Sequence, residues 1–194
     1  MKNQILKYLS KYTEINEELE TAISECTFIK SFEKGSTLLK EGSYSNECYF
    51  ILKGCIRSYY LKDGEEITTE FYTEEQSVVP SNFGKSTPSN CYLECIEDTL
   101  VSIGNPELEQ ESFKKYPALE SLSRVIAETI IIGQRESFSR YKTSTPEDRY
   151  LDLLKNRPDL IQRVPQHQIA SYLGIKPESL SRIRKRIVSK RVIT

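Results

Sequence analysis

Residues 164–187 constrain the fold of this 194-residue chain most strongly. They form two short amphipathic stretches that are joined at Gly174. Pro165 and Pro177 stand where each stretch begins, and proline suits the first turn of a helix because the N–H groups of that turn are unbonded anyway. A glycine directly after a helix allows the left-handed conformation in which helices commonly end. The segment is therefore predicted to form a helix-turn-helix whose second helix is rich in Lys and Arg.

Charge is divided unequally along the chain. The 27 Lys and Arg residues nearly balance the 28 Asp and Glu residues, so the formal net charge is −1. Residues 1–140 hold 15 basic and 23 acidic side chains, a net charge of −8, whereas residues 141–194 hold 12 and 5, a net charge of +7. A basic helix-turn-helix on an acidic body is typical of a sensor joined to a nucleic-acid-binding domain.

The cysteine and histidine content argues against a metal centre. The chain has five Cys, none of them in a CxxC pair, and a single histidine, His167, that is distant from them in sequence. This set does not complete a zinc site, and we expect no metal and buried, reduced thiols. An iron–sulfur or redox sensor is the less favoured alternative. Because no apolar run is long enough to cross a membrane, the chain is expected to be cytoplasmic, without membrane partners.

Residues 28–103 carry the pattern of an antiparallel β domain. Short runs rich in Tyr, Phe, Ile, Val and Thr are separated by glycine-containing turns. Asp63 and Gly64 separate two such runs, and both residue types tolerate the positive φ that a tight hairpin requires. The apolar spacing in residues 4–26 favours two short helices. The N-terminal part is therefore predicted to be two helices followed by a β-barrel or jelly roll.

A long helix is predicted from about residue 117 to residue 142. Its apolar side chains form one continuous stripe, and Ile131 and Ile132 add a second apolar face. We expect the helix to pack both on its own barrel and on a second helix. The alternative is a helix that packs only on its own domain. The predicted dimer seam consists of Leu119, Leu122, Ile126, Ile130 and Gly133.

The C-terminal domain is predicted to begin in the polar segment 143–146. Thr145 is a good N-cap, and Pro146 suits the first helical position. Residues 190–194 are expected to form the first strand of a short wing. The predicted division assigns residues 1–116 to the N-terminal helices and barrel, 117–143 to the dimerisation helix and hinge, and 144–194 to the winged helix-turn-helix.

Three motifs resemble the CRP/FNR superfamily of bacterial transcription regulators, and the resemblance runs along the whole chain. Residues 35–42 (GSTLLKEG) are similar to an early strand and turn of its barrel, and residues 49–57 (YFILKGCIR) to its most recognisable strand. Residues 147–151 (EDRYL) are similar to the start of the first helix after the hinge. The resemblance implies an α+β fold with an N-terminal double-stranded β-helix (jelly roll) of the cyclic-nucleotide-binding type, a long dimerisation helix and a C-terminal winged helix-turn-helix.

The resemblance also implies which residues contact DNA. The family's recognition helix often carries Ser-Arg-Glu-Thr-x-x-Arg; Glu178 and Arg182 match this core, and Ser179 replaces the threonine. Glu can accept from cytosine N4 and Arg can bond guanine N7 and O6, so these three residues are the predicted base readers. Pro177 replaces a family arginine, which removes one guanine contact. The expected DNA-backbone contacts are Gln166, His167, Gln168, Lys176, Ser181, Arg184, Lys185 and Arg186.

The effector region departs from the family pattern. Cyclic AMP binders place a Gly-Glu-Leu turn and an Arg-Ser/Thr pair around the ribose and cyclic phosphate. Here Lys85 follows Gly84, and Pro88 or Ser89 stands near the place of the arginine. Without that arginine a buried phosphate loses its main charge-assisted bond, so we expect no cofactor and an unknown effector other than cyclic AMP in the usual mode. The candidate effector pocket consists of Asn82, Gly84, Lys85, Ser89 and Asn90.

These observations predict a homodimeric, sequence-specific DNA-binding transcription regulator and not an enzyme. The expected partners are double-stranded DNA with a pseudo-palindromic site, a second copy of the chain and, for an activator, RNA polymerase. A barrel with a purely structural or protein-interaction role is the alternative. A cupin-like enzyme is less favoured, because cupin metal sites use two or three His and the barrel region contains none.

Overall fold

The computed structural model describes residues 2–192, with the side chains of residues 4–189. The strands are β1 (Phe28–Phe32), β2 (Thr37–Leu39), β3 (Cys48–Lys53), β4 (Ile56–Lys62), β5 (Glu65–Tyr72), β6 (Ser77–Val78), β7 (Tyr92–Cys95) and β8 (Thr99–Gly104). The helices are α1 (Lys2–Leu9), α2 (Glu17–Cys26), α3 (Pro106–Lys115), α4 (Ala118–Thr143), α5 (Pro146–Asn156), α6 (Pro158–Arg163), α7 (Gln166–Tyr172) and α8 (Pro177–Val192).

The strands form two stacked antiparallel sheets with an apolar core between them. Sheet A has the strand order β1-β8-β3-β6, and sheet B has the order β2-β7-β4-β5. Ile51 and Val101 of sheet A and Ile56 of sheet B are fully buried in one shared cluster. Buried and partly exposed residues alternate along β8, as expected for a strand with one face on a core. This sandwich confirms the predicted jelly roll.

The predicted hairpin joins β4 to β5. Lys62 pairs with Glu65, so the turn consists of Asp63 and Gly64 alone. Their φ angles are +54° and +79°, which is the left-handed region that a two-residue hairpin requires. The hairpin prediction is confirmed.

Helices cover the outer face of sheet A. Tyr8 of α1 packs with Leu52 of β3 in an apolar cluster, and its ring centroid lies 4.8 Å from that of Phe50. Leu122 and Ile126 of α4 join the same cluster. The first part of α4 is therefore anchored on its own chain.

The C-terminal helices form the predicted helix-turn-helix. Thr145 caps α5 through a reciprocal capping box with Asp148. Gly174, between α7 and α8, has a φ of +68°, as expected directly after a helix. A short helix that the sequence analysis did not predict, α6, begins at Pro158, because proline suits the first helical turn as well as it ends a preceding helix.

The strand expected at residues 190–194 is wrong where the structure can test it. α8 continues to Val192, and residues 193 and 194 lie outside the described residues. Ile183 and Ile187 extend a buried helical face, and Lys and Arg are good helix formers, so nothing in the sequence stops the helix near residue 190.

The helix-turn-helix packs on the outer face of sheet B. Phe71 of β5 shares one apolar cluster with Leu160 of α6 and Ile169 of α7. The Tyr172 ring meets Phe71 edge-on, with centroids 5.4 Å apart. The barrel and the helix-turn-helix thus share a core, although their residues are about 90 positions apart in sequence.

Ser171 of α7 covers the free edge of sheet B. Its Oγ accepts a hydrogen bond of 2.9 Å from the Thr68 backbone N–H and donates one of 3.0 Å to the Glu66 carbonyl. β5 is the edge strand, so these groups have no strand partner on that side. The hydroxyl satisfies the backbone groups that a sheet edge leaves open.

Two arginines tie the same interface by ion pairs. Arg163 of α6 binds the Glu74 carboxylate through two hydrogen bonds of 2.9 Å and also bonds Glu97. Arg157 reaches Glu70 at 3.1 Å. Both arginine side chains are largely buried, so these pairs are less screened than surface pairs. We call this group the Arg157–Arg163 ion-pair cluster.

Candidate nucleic-acid interface

α8 has an apolar inner face and a polar outer face. Leu180, Ile183 and Ile187 are buried at three- and four-residue steps in the cluster that contains Ile169 of α7. This packing fixes α8 against α7. The exposed side chains on the outer face include Glu178, Ser181, Arg182, Lys185 and Arg186.

The three predicted base readers lie together on the first turns of α8. Arg182 Nε is 3.4 Å from the Glu178 carbonyl oxygen, and Arg182 Nη2 is 3.5 Å from Ser179 Oγ. Both contacts are long for hydrogen bonds, so they hold the guanidinium only weakly. Glu178 and Arg182 are exposed and Ser179 is half-buried. The cluster can present a carboxylate, a hydroxyl and a guanidinium to the edges of bases.

The predicted DNA-backbone contacts fall into two groups. Arg186 forms an ion pair with Glu147 of α5, and Arg184 is half-buried, so neither is an unengaged surface cation. Gln168 is half-buried, and its Oε1 has no hydrogen-bond partner among the described residues. The remaining members are exposed: Gln166, His167, Lys176, Ser181 and Lys185.

The structure divides the predicted dimer seam. Leu119 packs with Leu19 and Ala22 of α2, and Leu122 and Ile126 pack on sheet A, so these three residues serve their own chain. Farther along α4, Ile130 is half-buried and Gly133 is exposed. The large apolar side chains that α4 leaves exposed are Val125, Ile131, Ile132, Phe138 and Tyr141.

The end of α4 meets the turn of the helix-turn-helix. The φ of Gly174 favours glycine, and its Cα lies so near Tyr141 Oη that a Cβ atom there would displace the tyrosine side chain. The Arg149 guanidinium of α5 lies 4.3 Å from the centre of the Tyr141 ring. Three segments thus meet at one tyrosine, which links the orientation of α8 to that of α4.

The buried residues of the candidate effector pocket hold the loop between β6 and β7. Asn82 Nδ2 donates to the carbonyls of Ser45 and Thr87, and Asn82 Oδ1 is buried without a partner among the described residues. Ser89 Oγ donates to the Cys91 carbonyl at 2.9 Å. Asn82 and Ser89 are thus engaged with backbone groups.

The other members of that pocket are exposed on the same loop. Lys85 Nζ donates to the Ser81 carbonyl at 3.0 Å, and Asn90 bonds the Ser81 hydroxyl. Gly84 has a φ of +68°. None of the five residues lines the cavity between sheet A and its covering helices or the smaller cavity beside α2 and α4. Their polar groups stabilise the loop, and the space between the sheets is packed with apolar side chains.

Arg57, which the sequence analysis quoted only as part of a strand motif, is the most buried charged side chain in the described chain. It is 1% exposed, and its Nε donates to Thr68 Oγ1 at 2.9 Å while Nη1 pairs with Glu66 at 2.6 Å. Thr68 and Glu66 are the residues whose backbone Ser171 binds. Arg57 therefore orients the sheet edge on which the helix-turn-helix is seated.

Two classes of site are not found among the described residues. No group of three or more His, Cys, Asp or Glu is placed to hold a metal ion. No described helix has the length and apolarity to cross a membrane. All five cysteines have free thiols.

Comparison with known proteins identifies the barrel. Residues 29–111 match the family model of the cyclic nucleotide-binding domain. A search of curated protein sequences finds no match. Among solved structures, CLP, a c-di-GMP responsive global regulator of Xanthomonas campestris, superposes with a TM-score of 0.66 at 15% sequence identity, over 88% of this chain and 90% of that chain.

Two further solved structures have a similar fold. A mutant of CooA from Carboxydothermus hydrogenoformans has a TM-score of 0.65 at 14% identity, over 92% of this chain and 86% of that chain. FixK2 from Bradyrhizobium japonicum has a TM-score of 0.62 at 20% identity, over 84% of this chain and 85% of that chain. At these identities the likeness establishes the fold.

The chain thus joins a barrel through a long helix to a helix-turn-helix whose second helix exposes basic side chains. Residues 29–111 match the family model of the cyclic nucleotide-binding domain, and the chain as a whole has the fold of the CLP, CooA and FixK2 structures. The resemblance seen in the sequence is confirmed at this level.

Proposed function

We propose that the chain is a homodimeric, sequence-specific DNA-binding transcription regulator of the CRP/FNR type. The proposal rests mainly on the exposed outer face of α8, where Glu178, Ser179 and Arg182 stand together. A helix of this kind enters the major groove, in which each base pair presents a distinct pattern of donors and acceptors. The fold shared with the global regulator CLP, and with CooA and FixK2, supports the same assignment.

Dimerisation is proposed to occur on the exposed face of α4. Val125 and Ile132 are seven residues apart, as are Ile131 and Phe138, and this is the spacing that places side chains on one seam between paired helices. A dimer with twofold symmetry would place two recognition helices about 34 Å apart, in successive major grooves. The proposed DNA site is accordingly a pseudo-palindrome.

The effector is proposed to be a molecule other than cyclic AMP in the usual mode, and the protein to act in the cytoplasm without catalysing a reaction. Lys85 is the cation of the loop between β6 and β7, and it is engaged with a backbone carbonyl. An activator would also contact RNA polymerase. The packed interior of the jelly roll favours a second candidate, a barrel that serves only as a structural or protein-interaction module.

Selection of bound sequences from random DNA tests the proposal. We expect an enriched site with dyad symmetry, and an affinity that falls steeply with salt because each phosphate contact releases counterions. Arg182→Glu should reduce the affinity for the selected site by about ten-fold or more, since one bidentate contact to guanine contributes about 1–3 kcal/mol. Fluorescence anisotropy with the selected duplex measures the loss.

Lys155→Glu is the matched control. It makes the same charge change in the same domain, but on α5 and not on the helix that carries the predicted base readers. It should therefore reduce the affinity for the selected DNA much less. An enriched site without dyad symmetry would contradict the dimer. Equal losses in both variants would contradict base readout by Arg182.

A further inference from the structure

A cavity of about 220 Å³ lies outside the jelly roll, between sheet A and the helices that cover it. Cys48 and Gly104, which pair at the end of sheet A, form its floor together with Ile103. Every helix on that face contributes to the wall. The helical lining includes Leu9 of α1, Ile23 of α2, Phe113 of α3 and Leu119, Leu122 and Ile126 of α4.

The wall is suited to a neutral, apolar molecule. The lining that the structure describes contains no Lys, Arg or His, and its one carboxylate belongs to Glu109, whose pKa is raised by burial. Burial also raises the pKa of the Cys48 thiol to about 11, so this thiol is uncharged at neutral pH. A phosphate or a nucleotide would lose its hydration here without a cationic partner.

The volume fits a molecule of one or two rings. An engineered, enclosed apolar cavity of about 150 Å³ binds benzene. The cavity here holds about 220 Å³ and is partly open to solvent, so it can take a molecule of that size with one side exposed. Asn105, Ser112 and Ser123 supply a few polar groups at an otherwise apolar wall, which is the usual composition of a small-molecule site.

We propose that this cavity is the effector site of the regulator and that it binds compact, neutral apolar molecules of one or two rings. The effector role rests on the proposed function; the binding itself does not. An occupant would contact α4, the helix that leads to the helix-turn-helix, and also Phe83 of the loop between β6 and β7. Occupancy is thereby coupled to the position of α4 relative to the barrel.

Indole is a suitable probe because the chain contains no Trp. Fluorescence excited beyond the tyrosine absorption band then comes from indole alone, and its change on titration of the full chain reports binding. Ser123→Leu, which fills the cavity from α4, should weaken indole binding by about ten-fold or more. Ser121→Leu makes the same change on an exposed position of the same helix and should bind as the unaltered chain does.

Thiol protection locates the bound probe without a variant. Cys26 and Cys48 line the cavity, whereas Cys55, Cys91 and Cys95 are buried elsewhere in the barrel. Saturating indole or ethylbenzene should slow N-ethylmaleimide labelling of Cys26 and Cys48, as measured by peptide mass spectrometry. Absence of indole binding, equal binding by Ser123→Leu, or unprotected Cys26 and Cys48 would each overturn the site.

Coupling to DNA is measured separately, on the duplex obtained by selection. Saturating indole should change the affinity of the full chain for that duplex by about five-fold or more, a typical coupling between two sites, and should leave Ser123→Leu unaffected. Binding of indole with unchanged DNA affinity would overturn the effector role while the site remains. Failure of the chain to bind any DNA would contradict the proposed function and not the cavity.

Discussion

The two outer faces of the jelly roll are covered by different kinds of contact. On sheet A, the cover is apolar, as in the packing of Tyr8 of α1 on Phe50, and it leaves a cavity. On sheet B, the apolar contact of Phe71 with Tyr172 is bordered by the Arg157–Arg163 ion-pair cluster. The first face is built to admit an apolar molecule, and the second is built to hold a domain in a fixed orientation.

This difference predicts how the helices on sheet A and the helix-turn-helix on sheet B respond to changes of charge, salt and pH. Apolar contacts depend little on ionic strength or on pH, whereas partly buried ion pairs depend on both. The helix-turn-helix should therefore detach from sheet B under conditions that leave α1 and α4 on sheet A. Detachment would expose to protease the segment 143–146, in which Ser144 and Thr145 link α4 to α5.

The largest effect is expected from reversing the charge of Arg163. In Arg163→Glu the new carboxylate would face Glu74 and Glu97, and the free energy of unfolding should fall by about 2–3 kcal/mol, between the values for exposed and buried pairs. Urea denaturation followed by circular dichroism measures the loss. Cleavage in the segment 143–146 should accelerate in parallel.

A matched pair on the other face provides the control. Lys11 forms an ion pair with Glu75, and both side chains are more exposed than that of Arg163. Lys11→Glu should lower the free energy of unfolding by less than about 1 kcal/mol. The double change Arg163→Glu with Glu74→Arg should recover part of the lost stability. Equal losses at the two positions would refute the contrast between the faces.

Acid should weaken the contact between the helix-turn-helix and sheet B, because it protonates Glu74. Burial raises the pKa of this carboxyl, but hydrogen bonds from Arg163 and from the Gly54 N–H outweigh it, and the pKa lies below the ordinary 4.5. A lowered pKa in the folded state means that its stabilisation is complete above 4.5 and is lost as the pH falls through the folded value. Protease cleavage at 143–146 should therefore rise below pH 4.5.

Glu70 acts in the opposite sense. Burial raises its pKa, and the charge of Arg157 offsets this only in part, so its contribution is complete at low pH and is lost as the pH rises through the folded value. Glu74→Gln should flatten the acid-induced rise in cleavage, whereas Glu70→Gln should steepen it. Glu75→Gln, one residue away from Glu74, is the control and should leave the acid profile unchanged. Identical profiles for all three variants would exclude Glu74 as the acid-sensitive group.

Local signals made much of this architecture predictable. The Asp63–Gly64 hairpin, the N-cap at Thr145 and the turn at Gly174 each depend on a few adjacent residues, and each is found where the sequence places it. The wing strand is wrong as far as residue 192, because α8 continues along the buried helical face of Ile183 and Ile187 although Val and Ile also suit strands.

The contacts between domains were not predictable in the same way. Arg163 lies 89 residues from Glu74 and 66 from Glu97, and no local pattern brings them together. The same limit applies to Ser171 at the edge of β5. The sequence predicts that α4 has apolar faces, but it does not predict what each face contacts. Spacing alone does not distinguish a face that packs on its own chain from a face that packs on a second copy. The predicted base readers on α8 and the long helix are the parts that the sequence indicates most directly.

The smallest change in the free energy of unfolding is expected in the part of α4 that extends beyond sheet A. Gly133 is exposed, and a Cβ atom there would meet nothing within 4 Å among the described residues of its own chain. Glycine in a helix interior is about 0.5–1 kcal/mol less favourable than alanine, so Gly133→Ala should raise the free energy of unfolding by about that amount. If the seam is formed by Val125, Ile131, Ile132 and Phe138, the dimer dissociation constant measured by analytical ultracentrifugation should stay the same. A weaker dimer in Gly133→Ala would instead place the glycine at a close approach of two helices, as the sequence first suggested. Val125→Ala, which removes exposed apolar surface on the same helix, should weaken the dimer in either case.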